Sequence, residues 1–193
     1  MKKILIATNN QGKVREFRKL LEEFEVYSLS DLAIDIDVDE TGLTYEDNAI
    51  LKVEALRNYQ DEYLIVADDS GIEISFFDNK PGVYSARFLS DLDYPAKNIE
   101  ITNRMKDVSN RYATFQCRIA LLAESDIEVF SGVLEGEIAD TPHGTEGFGY
   151  DPIFYISEYK QTLSELGPDF KNTISHRYKA ICELKEYLNK RYL

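Results

Sequence analysis

The chain has 193 residues, 44% of them apolar, which suits one ordinary domain with a sizeable core. Its 35 acidic residues outnumber its 22 basic ones, giving a formal net charge of −13; that balance argues against a nucleic-acid binder, which wants basic faces, and means that a phosphate ligand would need local cations and a metal to overcome the field. Cys117 and Cys182 lie in apolar-patterned segments without metal-ligand spacing, so both read as reduced core residues of a cytoplasmic protein, while residues 4–7 are too short for a signal-peptide core and no run approaches a membrane span.

Residues 2–8 read as a strand, followed by Asn9-Asn10-Gln11-Gly12-Lys13 and a helix on which Val14, Phe17, Leu20, Leu21 and Phe24 recur at the helical period. Strand, Gly-containing polar loop and helix is a geometry that presents backbone N–H groups to an anion, and Lys13 adds a charge in the same place. The P-loop spacing is absent, and a plain βα turn accounts for the same residues. Residues 26–29 form a second short strand. The acidic segment 35–40 reads mostly as a solvated edge. Thr44, with Asp47 three residues on, has the form of a capping box for a helix over residues 45–59, with Ala49, Val53 and Leu56 inward. Lys52 lies one residue from that stripe.

The chain is organised around residues 64–71, Leu-Ile-Val-Ala-Asp-Asp-Ser-Gly. The apolar run predicts a strand covered on both faces, with Asp68 and Asp69 at its C-terminal end, where open α/β sheets bind ligands. Neighbouring side chains on a strand point to opposite sides, so one Asp can face a cleft and the other a second element. Adjacent carboxylates need a cation or donors beside them. A divalent metal with one Asp activating water satisfies that need; an ordinary Asp-Ser turn is the alternative. Residues 72–76 alternate, predicting a strand with one wet face, and Asp78-Asn79-Lys80-Pro81-Gly82 predicts a turn. Arg87, among apolar and small residues, suits either an anion or a structural salt bridge.

Asp93-Tyr94-Pro95 opens a helix to about Met105. Residues 111–123 and 127–138 read as a long antiparallel pair. The glycines around Phe148 in Gly147-Phe148-Gly149-Tyr150-Asp151-Pro152 allow close approach to a ligand, with Phe148 placed to stack on a base or to plug its own loop. Residues 162–166 form a short helical turn ended by Gly167-Pro168, and Ser175 caps a last helix with Ile181, Leu184 and Leu188 inward. Lys171, His176 and Arg177 thus gather at a helix N-terminus. Cations there oppose the dipole unless an anion joins them, although a solvated basic turn fits too.

Taken in order, these segments resemble the inosine triphosphatase family, the bacterial and archaeal non-standard purine nucleoside triphosphate pyrophosphatases. The resemblance is carried by Ala7-Thr8-Asn9-Asn10 with Gly12-Lys13, Glu40-Thr41-Gly42-Leu43-Thr44 with Asn48-Ala49-Ile50-Leu51-Lys52, and Ala67-Asp68-Asp69-Ser70-Gly71. It continues in Pro81-Gly82-Val83-Tyr84-Ser85-Ala86-Arg87, Gly147-Phe148-Gly149-Tyr150-Asp151-Pro152 and Ser175-His176-Arg177, and so covers nearly the whole chain.

The resemblance implies an α/β fold spanning residues 1–193 as a single domain, with a mixed central sheet, flanking helices, a long antiparallel ribbon and a nucleotide cleft between two lobes. It implies Mg²⁺-dependent hydrolysis of the α–β bond of ITP, dITP and XTP to the monophosphate and pyrophosphate, clearing deaminated purines from the nucleotide pool. Asp69 would be general base and metal ligand and Glu40 a second ligand, with Asp68 supporting the metal. Thr8, Asn9, Asn10, Gln11, Gly12, Lys13, Lys52 and Ser70 would hold phosphates, with Arg87 as an addition. Phe148 would stack on the base. His176, Arg177, Lys171 and the segment Gly149-Tyr150-Asp151 would address its 6-keto side, so that an adenine amino group would meet donors. The family also implies a homodimer. A pyrophosphatase of modified pyrimidines and a non-catalytic nucleotide-binding module are the alternatives; Glu40, Asp68 and Asp69 speak against the second.

Overall fold

The computed structural model describes residues 2–192; Met1 and Leu193, the ends of the expected domain, lie outside the described residues. The fold is a mixed α/β arrangement. Its strands are β1 (Lys3–Ile6), β2 (Glu25–Ser28), β3 (Leu64–Ile74), β4 (Lys80–Pro81), β5 (Tyr112–Ala123), β6 (Asp126–Ile138), β7 (Phe154–Ile156) and β8 (Gln161–Thr162). Their order is β2-β1-β3-β5-β6-β7-β8, with β4 beside β3. β1 runs parallel to β2 and β3, and β7 is antiparallel to β6 and β8. β5 and β6 are hydrogen-bonded neighbours joined only by Glu124 and Ser125, which makes them the expected antiparallel ribbon. The helices are α1 (Gln11–Leu20), α2 (Tyr45–Glu54), α3 (Tyr94–Arg104), α4 (Leu163–Ile174) and α5 (His176–Tyr192). Among the described residues no helix is long and apolar enough to cross a membrane.

The chain divides into two compact units. Unit 1 holds the chain up to Asp69, Cys117–Gly132 and the chain from His176; unit 2 holds Ser70–Gln116 and Val133–Ser175. In unit 1, Ile4, Ile6, Leu64 and Val66 pack with Phe17 of α1 and Ile181, Leu184 and Leu188 of α5. Leu5, Ile65 and Ala67, on the alternate positions, pack with Ala49 and Val53 of α2. Both faces of β1 and of the start of β3 are therefore covered, as an unalternating apolar run requires. In unit 2, Ile72, Ile74, Ile101, Met105, Phe115, Leu134 and Phe154 form a core of their own.

Four expectations are corrected. β3 does not end at Asp68 and Asp69 but runs on to Ile74, because the Ser85 hydroxyl accepts from the Ile72 N–H and β4 pairs with Glu73 and Ile74; the aspartates are mid-strand. α2 stops at Glu54, and a separate 3₁₀ turn covers Arg57–Tyr59. Gly167 breaks the helix after residue 166 (φ 79°, ψ 166°) as expected, but Pro168 opens a second segment that continues to Ile174. Cys117 is buried, whereas Cys182 is exposed on α5.

Candidate functional site

In unit 1 the alternation of β3 sends the two aspartates to different partners. Asp69 Oδ2 accepts from Asn48 Nδ2 at 3.0 Å, and its Oδ1 lies 3.5 Å from Lys52 Nζ. The same ammonium donates to the Asp68 carbonyl oxygen at 3.0 Å and pairs with the Glu40 carboxylate. Three oxygens from three residues thus gather on one cation. Helix α2 supplies both donors, and the Thr44–Asp47 capping box fixes its start. The fully buried Asn48 also accepts from the Gly42 N–H at 2.8 Å, and a Cβ on Gly42 would lie 2.6 Å from the Asn48 Oδ1. That tie locks the turn after Glu40 against α2.

Burial pushes the Asp69 carboxyl above the usual carboxylate range; Lys52 and Asn48 offset this only in part, and Glu40 reinforces it. Burial alone would lower Lys52, but Asp69, Asp68 and Glu40 outweigh it and hold the ammonium charged.

Asp68 is buried on the opposite side. Its Oδ2 meets Lys13 Nζ at 3.0 Å and Arg177 Nε at 3.1 Å. Arg177 Nη1 reaches Glu16 Oε2 of α1 at 2.5 Å. Burial opposes the Asp68 charge, yet Lys13, Arg177 and Lys52 overcome it and keep the carboxyl well below its ordinary range. Arg177 is in turn held above its usual value by Asp68 and Glu16 against desolvation.

The loop ahead of α1 is capped from within. Asn10 Oδ1 accepts from the N–H groups of Gly12 and Lys13 at 2.9 and 3.2 Å, and Thr8 Oγ1 accepts from the Asn10 N–H at 3.2 Å. Two N–H groups that the sequence offers to an anion are therefore met by Asn10. Asn9, Asn10 and Gln11 are exposed.

In unit 2 the buried Asp151 organises a second group. Its Oδ2 accepts from the Phe148 N–H at 2.9 Å and pairs with Lys171 Nζ at 2.7 Å, and that ammonium lies 4.1 Å from the Phe148 ring centre. Gly147 has φ +82°, and a Cβ there would fall 2.3 Å from Asp151 Oδ2, so only glycine fits. Tyr150 donates to the Ser85 carbonyl at 2.6 Å, and burial raises its hydroxyl pKa. Arg87 is exposed and lies over the Tyr84 ring at 5.5 Å. Ser70 is half-buried at the start of this unit.

The expected cluster of Lys171, His176 and Arg177 is split. Lys171 belongs to the last turn of α4 in unit 2, whereas His176 and Arg177 open α5 in unit 1. Carboxylates of the chain itself, Asp151 for Lys171 and Asp68 with Glu16 for Arg177, satisfy the cations that the sequence assigned to a ligand. Asn48 and Glu16 are absent from the sequence-based site. The signal for both was a polar residue in an inward position of a helix, Asn48 beside Ala49 and Glu16 beside Phe17.

Whether these residues fit a divalent ion is answered by the donor set. Glu40, Asp69 and the Asp68 carbonyl are all oxygen donors and already converge on a positive charge, the chemistry a hard cation takes. Among the described residues no three His, Cys, Asp or Glu side chains gather as a closed cage. An open set of two carboxylates suits Mg²⁺, which keeps waters and substrate oxygens in its shell. The Asp68 carboxylate, turned toward Lys13 and Arg177, lies outside that set.

Fold and site together define an α/β protein whose polar groups gather as carboxylate–cation pairs, without histidine or cysteine ligands among the described residues. The chain belongs to the Ham1 family, which matches residues 4–187. It is similar to a Staphylococcus aureus (strain MRSA252) protein named dITP/XTP pyrophosphatase, at 42% identity over 190 residues and 97% of each chain. It is also similar to the solved structure of the Staphylococcus aureus Ham1 protein, with TM-score 0.87, 40% identity and coverage of 98% of this chain and 99% of that one. A HAM1 protein from Coxiella burnetii aligns with TM-score 0.85 and 36% identity, over 98% of this chain and 100% of the other.

Proposed function

We propose that this protein is a Mg²⁺-dependent nucleoside-triphosphate pyrophosphatase that hydrolyses dITP, XTP and ITP to the monophosphate and pyrophosphate. The observation that carries the reading is the gathering of Glu40, Asp69 and the Asp68 carbonyl on one ammonium, in a chain 42% identical over nearly its whole length to a dITP/XTP pyrophosphatase.

Asp69 serves as general base. Burial raises its pKa, the direction that strengthens a carboxylate as a proton acceptor. Asn48 orients that carboxylate from α2. Glu40 and Asp69 would hold Mg²⁺, which when bound supplies charge neutralisation for the triphosphate and a lowered pKa for its bound water. Lys52 and Lys13 carry positive charge toward the phosphates, with Thr8, Asn9, Asn10, Gln11, Gly12 and Ser70 as further phosphate contacts and Arg87 as an addition. Asp68 keeps Lys13 and Arg177 in place. Phe148 stacks on the purine, its loop held by Asp151 and Lys171. Lys171, with the backbone at Gly149, Tyr150 and Asp151, is the proposed contact to the 6-keto oxygen that separates hypoxanthine and xanthine from adenine. A cytoplasmic homodimer belongs to the same reading, and gel filtration tests its assembly.

The decisive assay is pyrophosphate release from ITP, dITP, XTP, ATP, GTP, dUTP and 5-methyl-UTP, each with and without Mg²⁺. Turnover confined to the deaminated purines and lost on chelation is expected. Preference for a pyrimidine, or equal turnover of ATP, overturns the reading.

A further inference from the structure

Helix α3 carries a buried amide that none of the site roles above uses. Asn98 is 2% exposed, and its Nδ2 donates to the Gly149 carbonyl at 3.0 Å, across 51 residues of sequence. Gly149 is one of the left-handed positions of the Phe148 loop, with φ +67°. Glycine adopts this backbone without strain but also without preferring it, so the direction of its carbonyl is set by the bond that carbonyl accepts. The other half of the Asn98 amide, Oδ1, is buried and has no hydrogen-bond partner among the described residues. A half-satisfied buried amide is a poor stabiliser, since its bare acceptor has lost water without replacement. Its geometry, by contrast, is well fixed. The helix around it is anchored by the Asp93 cap, which accepts from the Ala96 N–H, and by Lys97, which donates to the Ala86 carbonyl at 3.0 Å.

The loop is held at three further points. Asp151 takes the Phe148 N–H, Tyr150 bonds the Ser85 carbonyl, and the Tyr150 ring packs edge-on against Tyr94 at 5.3 Å. Those contacts fix the loop on either side of Gly149. Among the described residues Asn98 is the hydrogen-bond partner of the Gly149 carbonyl, which lies one residue after Phe148, in the peptide joining Gly149 to Tyr150.

We propose that Asn98 is a positioning residue for base recognition: its amide N–H holds the Gly149 carbonyl and thereby sets the orientation of the Phe148 ring. The proposal rests on the assignment of Phe148 to the base. Loss of the clamp should weaken binding of the nucleoside part and leave the phosphate end untouched. The amide was not legible as functional in the sequence, where Asn98 is one polar residue of an amphipathic helix.

The test compares Asn98→Leu and Asn98→Asp, which remove the donor at nearly constant volume, with Asn98→Ser as a smaller variant should either fail to fold. KM and kcat for dITP are measured together with inhibition by inorganic pyrophosphate, and amide hydrogen exchange of residues 147–151 is followed in the same proteins. The expected result is a KM raised about tenfold, equivalent to about 1.4 kcal/mol. kcat should stay within about twofold, pyrophosphate inhibition should be unchanged, and exchange at the loop should be faster. A merely structural role would instead lower the melting temperature with no split between KM and pyrophosphate inhibition. Folded variants with wild-type KM and wild-type loop exchange overturn the proposal. Phe148→Ala run alongside separates the two failures: if it leaves KM for dITP unchanged, the base assignment itself is wrong; if it raises KM while the Asn98 variants do not, only the clamp is wrong.

Discussion

The Lys171 ammonium lies 4.1 Å from the centre of the Phe148 ring while bonded to the carboxylate that also takes the Phe148 N–H. Backbone and side chain of Phe148 are thus fixed through a single acid, Asp151. An aromatic held this way loses little freedom when a base stacks on it. Base–aromatic stacking is worth about 1–3 kcal/mol by alanine substitution. Phe148→Ala should therefore raise KM for dITP by roughly 5- to 150-fold, with kcat little changed, whereas Phe148→Tyr should retain most of the affinity. Steady-state kinetics on the two variants decide this.

Asp69→Asn keeps the size of the side chain and a carbonyl oxygen that can still accept from Asn48 at the present 3.0 Å geometry. The fold should survive. The proton acceptor is removed, and a positioned general base contributes about 10²–10⁴-fold. Loss of hydrolysis on at least that scale, with dITP binding retained by calorimetry, is the expected outcome. A protein that no longer folds would mark the carboxylate as structural.

Arg177 is 2% exposed and bridges Asp68 and Glu16. Arg177→Met removes the cation and leaves Glu16 buried without it, and leaves Asp68 with Lys13. Breaking a buried pair from one side destabilises by about 3–5 kcal/mol. At roughly 2–4 °C per kcal/mol for a chain of this size, the melting temperature should fall by roughly 6–20 °C. Glu16→Gln added to Arg177→Met should recover part of the loss, because it removes the stranded charge. A melting temperature within two degrees of wild type for the single variant would contradict the network.

The architecture was readable where one physical signal dominated. The unbroken apolar runs of β1 and β3 identified strands covered on both faces, and Thr44 with Asp47 marked the start of α2. Asp68 and Asp69 were recognisable as a chemical pair, and strand alternation gave their divergence. Their partners were not readable, because Asn48 and Arg177 meet them only through long-range packing across 21 and 109 residues, and Glu16 joins through Arg177 across 161. The same limit explains the misread end of β3: Ser70-Gly71 has turn chemistry, but pairing with β4 and the Ser85 hydroxyl override it. It also explains Cys182, which sits in an apolar-rich stretch of α5 yet faces outward.

Cys117 offers a test that is independent of catalysis. It is fully buried in the core of unit 1, and burial, reinforced by the charge of Asp68, pushes its thiol up to about 12. Only the thiolate reacts with disulfide reagents. Ellman's reagent at pH 8 should therefore titrate one thiol in the native protein, Cys182, and two in denaturant. The same shift makes a statement about stability. A group whose folded pKa is raised contributes stability that is complete below its unfolded value, near 8.5 for a thiol, and is lost as pH climbs toward the folded value. Between pH 8 and pH 10 the unfolded chain releases the Cys117 proton while the folded one keeps it, so folding weakens by about 1–2 kcal/mol from this group alone. Cys117→Ala is less stable than wild type at pH 7, because it opens a small cavity, but its stability should fall less steeply over that alkaline interval. Denaturant melts at pH 7, 8, 9 and 10 on both proteins measure the difference in slope; parallel curves would mean that the Cys117 thiol ionises as readily in the folded protein as in the unfolded chain.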